Sequence, residues 1–126
     1  MDLTRSQKRE LMWLASVAKD GGAIDDKDLN ERKQNLGKAT LDDFKYRYDA
    51  LKEARLVDSL VHAWGEPVIM VRLTEEGRER AEEYLEEEMS SPLVTDETKR
   101  TVKDTLVSQG ISAAFKVLLA GVGFII

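Results

Sequence analysis

The chain has 126 residues, no cysteine and a net charge of −5, with 42% apolar and 34% charged residues. This length suits one small domain with an appendage, and the apolar content is sufficient for a globular core. The lack of cysteine excludes disulfides and cysteine-ligated zinc or iron–sulfur centres.

The first predicted helix covers residues 4–19. Thr4 and Gln7 have the spacing of a capping box. One apolar stripe follows at helical spacing and consists of Leu11, Leu14, Ala15 and Ala18. The first ten residues, "MDLTRSQKRE", contain no apolar segment of the kind found in signal peptides, so we expect a cytoplasmic protein.

Gly21-Gly22 is expected to end the first helix. Ala23-Ile24 then favours a short strand or bridge. A second helix is predicted over about residues 26–34, with Asp25 or Asp26 as its N-cap and an end near Gly37. Its surroundings supply a basic set that is either a solvated face or a group of phosphate contacts: Lys27, Arg32, Lys33 and Lys38.

A third helix is predicted over residues 41–54, after a cap at Thr40. Four apolar positions form its buried stripe: Leu41, Phe44, Tyr48 and Leu51. The opposite face carries three acids and one tyrosine, namely Asp42, Tyr46, Asp49 and Glu53. Lys45 and Lys52 lie to one side of that face. We therefore expect an outward surface that is mainly acidic.

Two segments rich in β-branched and apolar residues, "LVDSLVHAW" and "VIMVRLT", are separated by Gly-Glu-Pro, which predicts a β-hairpin. Its tip presents His62, Trp64 and Glu66. His62 is the only histidine and has no cysteine to join it at a metal. Trp64 has two open interpretations, an exposed anchor for a protein partner or a cover over the protein's own core.

Thr74 is expected to cap a fourth helix, "EEGRERAEEYLEEEM", which contains most of the negative charge. Residues 74–89 hold eight Glu and two Arg, whereas residues 1–73 hold 13 basic and 13 acidic residues. The chain contains no nucleophile elbow, phosphate loop or dinucleotide fingerprint. We predict no catalytic residues, no metal site and no cofactor.

Residues 90–95, "SSPLVT", are interpreted as a linker between residues 1–89 and a C-terminal apolar helix in residues 96–126. The end of that helix, "ISAAFKVLLAGVGFII", has 12 apolar residues in 16. It would span about 24 Å, less than the ~30 Å of a bilayer core, so a membrane partner is disfavoured. We expect the tail to be covered by its own chain or by a partner.

Three helices, a hairpin and the stretch Leu73-Thr74-Glu75-Glu76-Gly77-Arg78 resemble the winged helix-turn-helix superfamily, above all small prokaryotic regulators of the MarR and PadR type. The resemblance covers about residues 4–88. It implies that residues 41–54 are the recognition helix and residues 57–72 the wing. It also implies a homodimer formed through the C-terminal helix, with a seam built from Val102, Leu106, Ala113, Val117 and Phe124.

The two surfaces that would meet DNA in such a fold lack the expected charge. A helix in the major groove usually presents Arg, Lys, Asn or Gln. Here the predicted outward face is acidic, and the hairpin has no Lys or Arg between Ser59 and Val71. The sequence therefore predicts a mainly α fold, with a two- or three-stranded antiparallel hairpin and an extra C-terminal helix, that serves as a non-catalytic protein-interaction module. A DNA-binding regulator is the alternative, and a membrane-associated effector acting through the tail is a weaker one.

Overall fold

The computed structural model describes residues 3–25, 27–29, 31, 48–61 and 68–122. Helical residues also occur at 27–29, 31 and 48–53. The named elements in chain order are helix α1 (Arg5–Val17), a 3-10 turn (Asp20–Gly22), strands β1 (Val57–Val61) and β2 (Val68–Leu73), and helices α2 (Glu75–Met89), α3 (Asp96–Gln109) and α4 (Ile111–Val122). A mainly helical fold with a small antiparallel hairpin and a C-terminal helix is thus confirmed.

Helix α1 begins at the capping box that the sequence predicts. The Gln7 amide donates to Thr4 Oγ1 (3.2 Å), and the Thr4 amide donates to Gln7 Oε1 (2.9 Å). The predicted stripe faces the core, where Leu11 and Leu14 are fully buried. The helix ends at Val17, two residues earlier than predicted, because Ala18 already has extended backbone angles.

The sheet contains two antiparallel strands and one additional bridge. Val57 pairs with Leu73 and Asp58 with Arg72, with an irregularity between Leu60 and Val61. On the other edge of β2, Ala23 forms an isolated antiparallel bridge with Arg72. The predicted short strand or bridge at Ala23-Ile24 is therefore a single bridge, which ties the end of the first helical region to the hairpin.

Residues 48–53 end in a Schellman motif. The Leu56 amide donates to the Leu51 carbonyl (3.0 Å) and the Arg55 amide donates to the Lys52 carbonyl (2.9 Å). Arg55 occupies the left-handed position of the motif, with φ 63°, where glycine is the usual residue. Leu51 and Leu56, the two positions that usually make an apolar contact in this motif, are both buried in the hydrophobic core.

The carbonyl group of Leu56 joins the hairpin to α2. It accepts hydrogen bonds from the Thr74 amide (3.1 Å) and from Thr74 Oγ1 (2.9 Å). Thr74 Oγ1 in turn accepts from the Gly77 amide (2.9 Å), which caps the helix as predicted. A Cβ at Gly77 would overlap the Leu56 carbonyl, so the first turn of α2 reaches the hairpin only with glycine at this position.

The predicted last helix is in fact two helices. Its start at Asp96 is as expected, with Thr95 as the N-cap. Gly110 then adopts φ 98° and ψ 179°, which interrupts the helix between Gln109 and Ile111. Only glycine adopts this conformation readily. The two pieces fold back on each other as a helical hairpin, and α4 packs against α1.

One hydrophobic cluster connects these elements. Helix α4 contributes Phe115 and Leu118, both essentially buried, and α3 contributes Val102. They join the buried leucines of α1 and the side chains of Tyr48 and Leu51. The remaining predictions for the stripe of the third helix, Leu41 and Phe44, lie outside the described residues.

We expect Gly77→Ala to lower the free energy of unfolding by about 3 kcal/mol, because the added methyl must displace the Leu56 carbonyl or tilt α2. Urea denaturation followed by circular dichroism measures this change. Glu79→Ala, an exposed change on the same helix, is the control and should stay within about 0.5 kcal/mol of the natural protein. Equal stabilities of the two variants would contradict the close contact.

We expect Arg55→Gly to raise the free energy of unfolding by about 0.5–1 kcal/mol. Glycine relieves the left-handed backbone, although the unfolded chain then gains some entropy. Arg80→Gly, placed inside exposed α2 with ordinary helical angles, should instead lower stability by about 1 kcal/mol. Thermal unfolding of both variants supplies the comparison, and two changes of the same sign would rule out the Schellman assignment.

Candidate interaction surfaces

The described part of the predicted recognition helix, residues 48–53, presents one charged and one buried side. Asp49, Lys52 and Glu53 are exposed. Tyr48 and Leu51 on the opposite side are fully buried, as the predicted stripe requires. The other predicted positions of this face, Asp42, Lys45 and Tyr46, lie outside the described residues.

A buried polar contact fixes which side of this helix faces outward. The Tyr48 hydroxyl donates to Glu10 Oε1 (3.1 Å), and both side chains are fully buried. A buried carboxyl group is costly unless it is hydrogen-bonded. The contact therefore favours one rotation of the helix relative to α1, and that rotation leaves Asp49 and Glu53 at the surface.

Helix α2 supplies a second acidic surface. Its buried side consists of Gly77, Ala81, Tyr84 and Leu85. Two of its acids bind α1: Arg5 pairs with Glu88 (3.1 Å) and Lys8 pairs with Glu87 (3.3 Å). Lys8 Nζ also lies 4.9 Å from the centre of the Tyr84 ring.

The other acids of α2 project into solvent. They are Glu75, Glu76, Glu79, Glu82, Glu83 and Glu86. No ion pair to any of them occurs within the part of the chain that the structure describes. These carboxylates therefore give the outer side of α2 a strong negative field.

The two acidic elements meet at a small cavity of about 180 Å³. Its lining comes from the end of the third helix and from α2: Glu53, Ala54, Leu56, Arg80 and Tyr84. Arg80 supplies the positive charge of this lining and Glu53 the negative charge. None of the six exposed acids of α2 lines the cavity.

The predicted hairpin tip, His62, Trp64 and Glu66, lies outside the described residues. So do three of the predicted phosphate contacts, Arg32, Lys33 and Lys38. Lys27 is exposed.

Asp25 occupies the predicted N-cap position of the second helix. Its carbonyl accepts from the Leu29 amide (3.1 Å), the bond that an N-cap residue receives. Its carboxylate binds Lys19 Nζ (2.5 Å) and thereby raises the pKa of Lys19 above 10.5. A raised lysine pKa adds stability that is present at neutral pH and is lost as the pH rises through the folded-state pKa. Both groups are exposed, so solvent screens this pair.

The predicted seam of the C-terminal region is unevenly accessible. Val102 is only 2% exposed and packs in the chain's own core, whereas Leu106 is 42% exposed. Ala113 and Val117 are half-buried, and Phe124 lies outside the described residues. Val107, which is 89% exposed, was not predicted from the sequence, because an apolar residue beside Leu106 gives no sign of which side faces the core.

Nowhere in the described residues do three His, Asp or Glu side chains converge as a metal site would require. None of the helices in those ranges is both long and apolar enough to cross a membrane.

Comparison of the chain with protein-family models, with curated proteins and with solved structures finds no match. The resemblance to winged helix-turn-helix proteins therefore rests on the order of the elements and on the Leu73–Arg78 stretch. Within that stretch the structure gives two residues a physical role, since Thr74 caps α2 and Gly77 lies against the Leu56 carbonyl.

Proposed function

We propose that the protein is a non-catalytic interaction module. It binds a protein partner through the acidic side of the helix that contains residues 48–53, together with the hairpin tip. The observation that carries this proposal is the exposed trio Asp49, Lys52 and Glu53, which has a net charge of −1. Glu53 also lines the cavity to which α2 contributes Arg80 and Tyr84.

Duplex DNA is a poor partner for this surface. It carries one phosphate charge per ~1.7 Å of helix axis. A groove-bound helix fixes its position through basic and amide side chains on phosphates and base edges. Asp49 and Glu53 would instead bring carboxylates to the phosphate backbone, with repulsion that salt only partly screens.

The alternative is a DNA-binding regulator that uses the same scaffold. The order of helices and hairpin supports it, as does the Ala23 bridge that adds a third member to the sheet at Arg72. The exposed side chain of Lys27 belongs to the basic set that would serve as phosphate contacts. In this alternative, attraction between phosphates and the basic residues after Asp25 must exceed the repulsion from Asp49 and Glu53.

We expect the natural protein to form no salt-sensitive complex with a mixed-sequence duplex in fluorescence anisotropy at low salt.

We expect a partner identified by affinity capture to bind again as a purified protein. The Asp49→Lys/Glu53→Lys variant should weaken this binding about tenfold or more, because it reverses the charge of the contact face. Isothermal titration calorimetry with the purified partner measures the effect.

The matched control is Glu82→Lys/Glu86→Lys on the outer side of α2, which changes the net charge by the same amount. It should weaken partner binding far less than the change at Asp49 and Glu53. Tight DNA binding by the natural protein, falling steeply with added salt, would favour the regulator and overturn the proposed protein contact.

We also propose that a second copy of the chain associates through the accessible part of the C-terminal seam, Leu106, Ala113 and Val117. Deleting α4 does not test this idea, because α4 supplies Phe115 and Leu118 to the core. We expect Leu106→Glu to lower the dimer fraction in sedimentation equilibrium, since it places a charge in an apolar contact. Leu93→Glu, at another exposed apolar position, should leave the mass unchanged, and equal behaviour of the two variants would exclude the seam.

A further inference from the structure

We propose that a cleft at the edge of the sheet binds a small zwitterion of the α-amino acid class, which carries an ammonium group and a carboxylate group. The cleft has a volume of about 390 Å³, within the usual range for small-molecule sites. Its lining includes Gly21, Asp58, Arg72, Thr74, Glu75 and Arg78. This proposal is independent of the protein-binding surface described above.

Arg72 is held in a fixed position at one side of the cleft. Its Nε donates to the Gly21 carbonyl (2.7 Å), and its backbone forms the bridge with Ala23. The rest of the guanidinium group keeps N–H donors for a ligand. A positioned guanidinium binds a carboxylate through two parallel hydrogen bonds, a geometry that a mobile lysine does not offer.

Among the described residues, the acids of the cleft form no ion pairs with its arginines. Asp58 lies directly opposite Arg72 in the sheet register, where opposite charges usually attract each other. Arg72 instead binds the Gly21 carbonyl, and no ion pair between these two residues is present in the described chain. Asp58 therefore keeps its carboxylate available on the cleft side of the hairpin.

The two charged residues that the first turn of α2 contributes to the cleft are also not ion-paired in the described residues. Glu75 and Arg78 are three residues apart, a spacing that permits an ion pair on a helix. Both are exposed, and neither takes part in an ion pair among the residues that are described. Two positive and two negative groups thus surround one cleft without neutralising one another.

This arrangement favours a ligand with both signs of charge. A carboxylate would bind Arg72 and Arg78, and an ammonium group would bind Asp58 and Glu75. A phosphate or another simple anion would meet both acids and lose much of what it gains from the arginines. The Thr74 hydroxyl is already engaged, donating to backbone carbonyls and accepting from the Gly77 amide, so charge and not hydroxyl recognition defines the site.

The first experiment is a thermal-shift screen of the full chain with the standard L-amino acids at neutral pH, followed by isothermal titration calorimetry. A ligand that binds only the folded protein raises its melting temperature. We expect at least one amino acid to bind saturably and to lose binding when its amine is acetylated or its carboxylate is amidated. Failure of every amino acid, or equal binding of the acetylated form, would overturn the proposal.

The second experiment places the ligand in the cleft. We expect Arg78→Gln and Asp58→Asn each to weaken binding about tenfold or more, since each removes one charge-assisted contact. Arg100→Gln on α3 and Glu79→Gln on α2 are matched controls at exposed positions that do not line the cleft, and they should bind as the natural protein does. Unchanged binding in the cleft variants would overturn the assignment.

A third arm separates this site from the protein-binding surface. The Asp49→Lys/Glu53→Lys variant should bind the amino acid normally, because neither residue lines the cleft. Competition by acetate or inorganic phosphate as strong as that by the amino acid would show a general anion site and reject the zwitterion. Loss of partner binding without loss of amino-acid binding, or the reverse, tells which of the two proposals has failed.

Discussion

The peptide carbonyl of Leu56 is the point at which the third helix, the hairpin and α2 are fixed to one another. The Leu56 amide closes the end of residues 48–53, and its carbonyl receives both hydrogen bonds from Thr74. Gly77 lies against the same carbonyl without a side chain between them. The relative positions of the acidic helix face and of α2 therefore depend on a contact of backbone atoms, which tolerates little change.

Charged side chains on α1, on α2 and at the edge of the hairpin form surfaces of different net charge. Arg5 and Lys8 of helix α1 form surface ion pairs with Glu88 and Glu87 at the far end of α2, so part of the positive charge of α1 is neutralised within the chain. The carboxylates near Asp49 and along α2 stay at the surface. On the hairpin side, Arg72 and Arg78 stand among acids of equal number. One surface is thus acidic and the other electrically balanced, which suits two different kinds of ligand.

Much of the local structure could be predicted from the sequence. The caps at Thr4 and Thr74 and the buried stripe of α1 follow from residue spacing, because a cap and a helix stripe involve only neighbours along the chain. The break at Gly110 was missed since a glycine inside an apolar run can either continue a helix weakly or end it. The left-handed Arg55 gave no signal, because arginine is rarely found in that conformation.

The sequence by itself determined where α1, α2 and α3 begin, where the negative charge lies and that residues 60–70 contain no Lys or Arg, since these are properties of composition and local spacing. Only the tertiary structure decided that Val102 is buried while Val107 is exposed, and that Arg72 binds Gly21 and leaves Asp58 without an ion pair in the described chain. Those outcomes depend on which distant segments meet across the core and the sheet. The spacing of residues along the chain does not specify these contacts between distant segments.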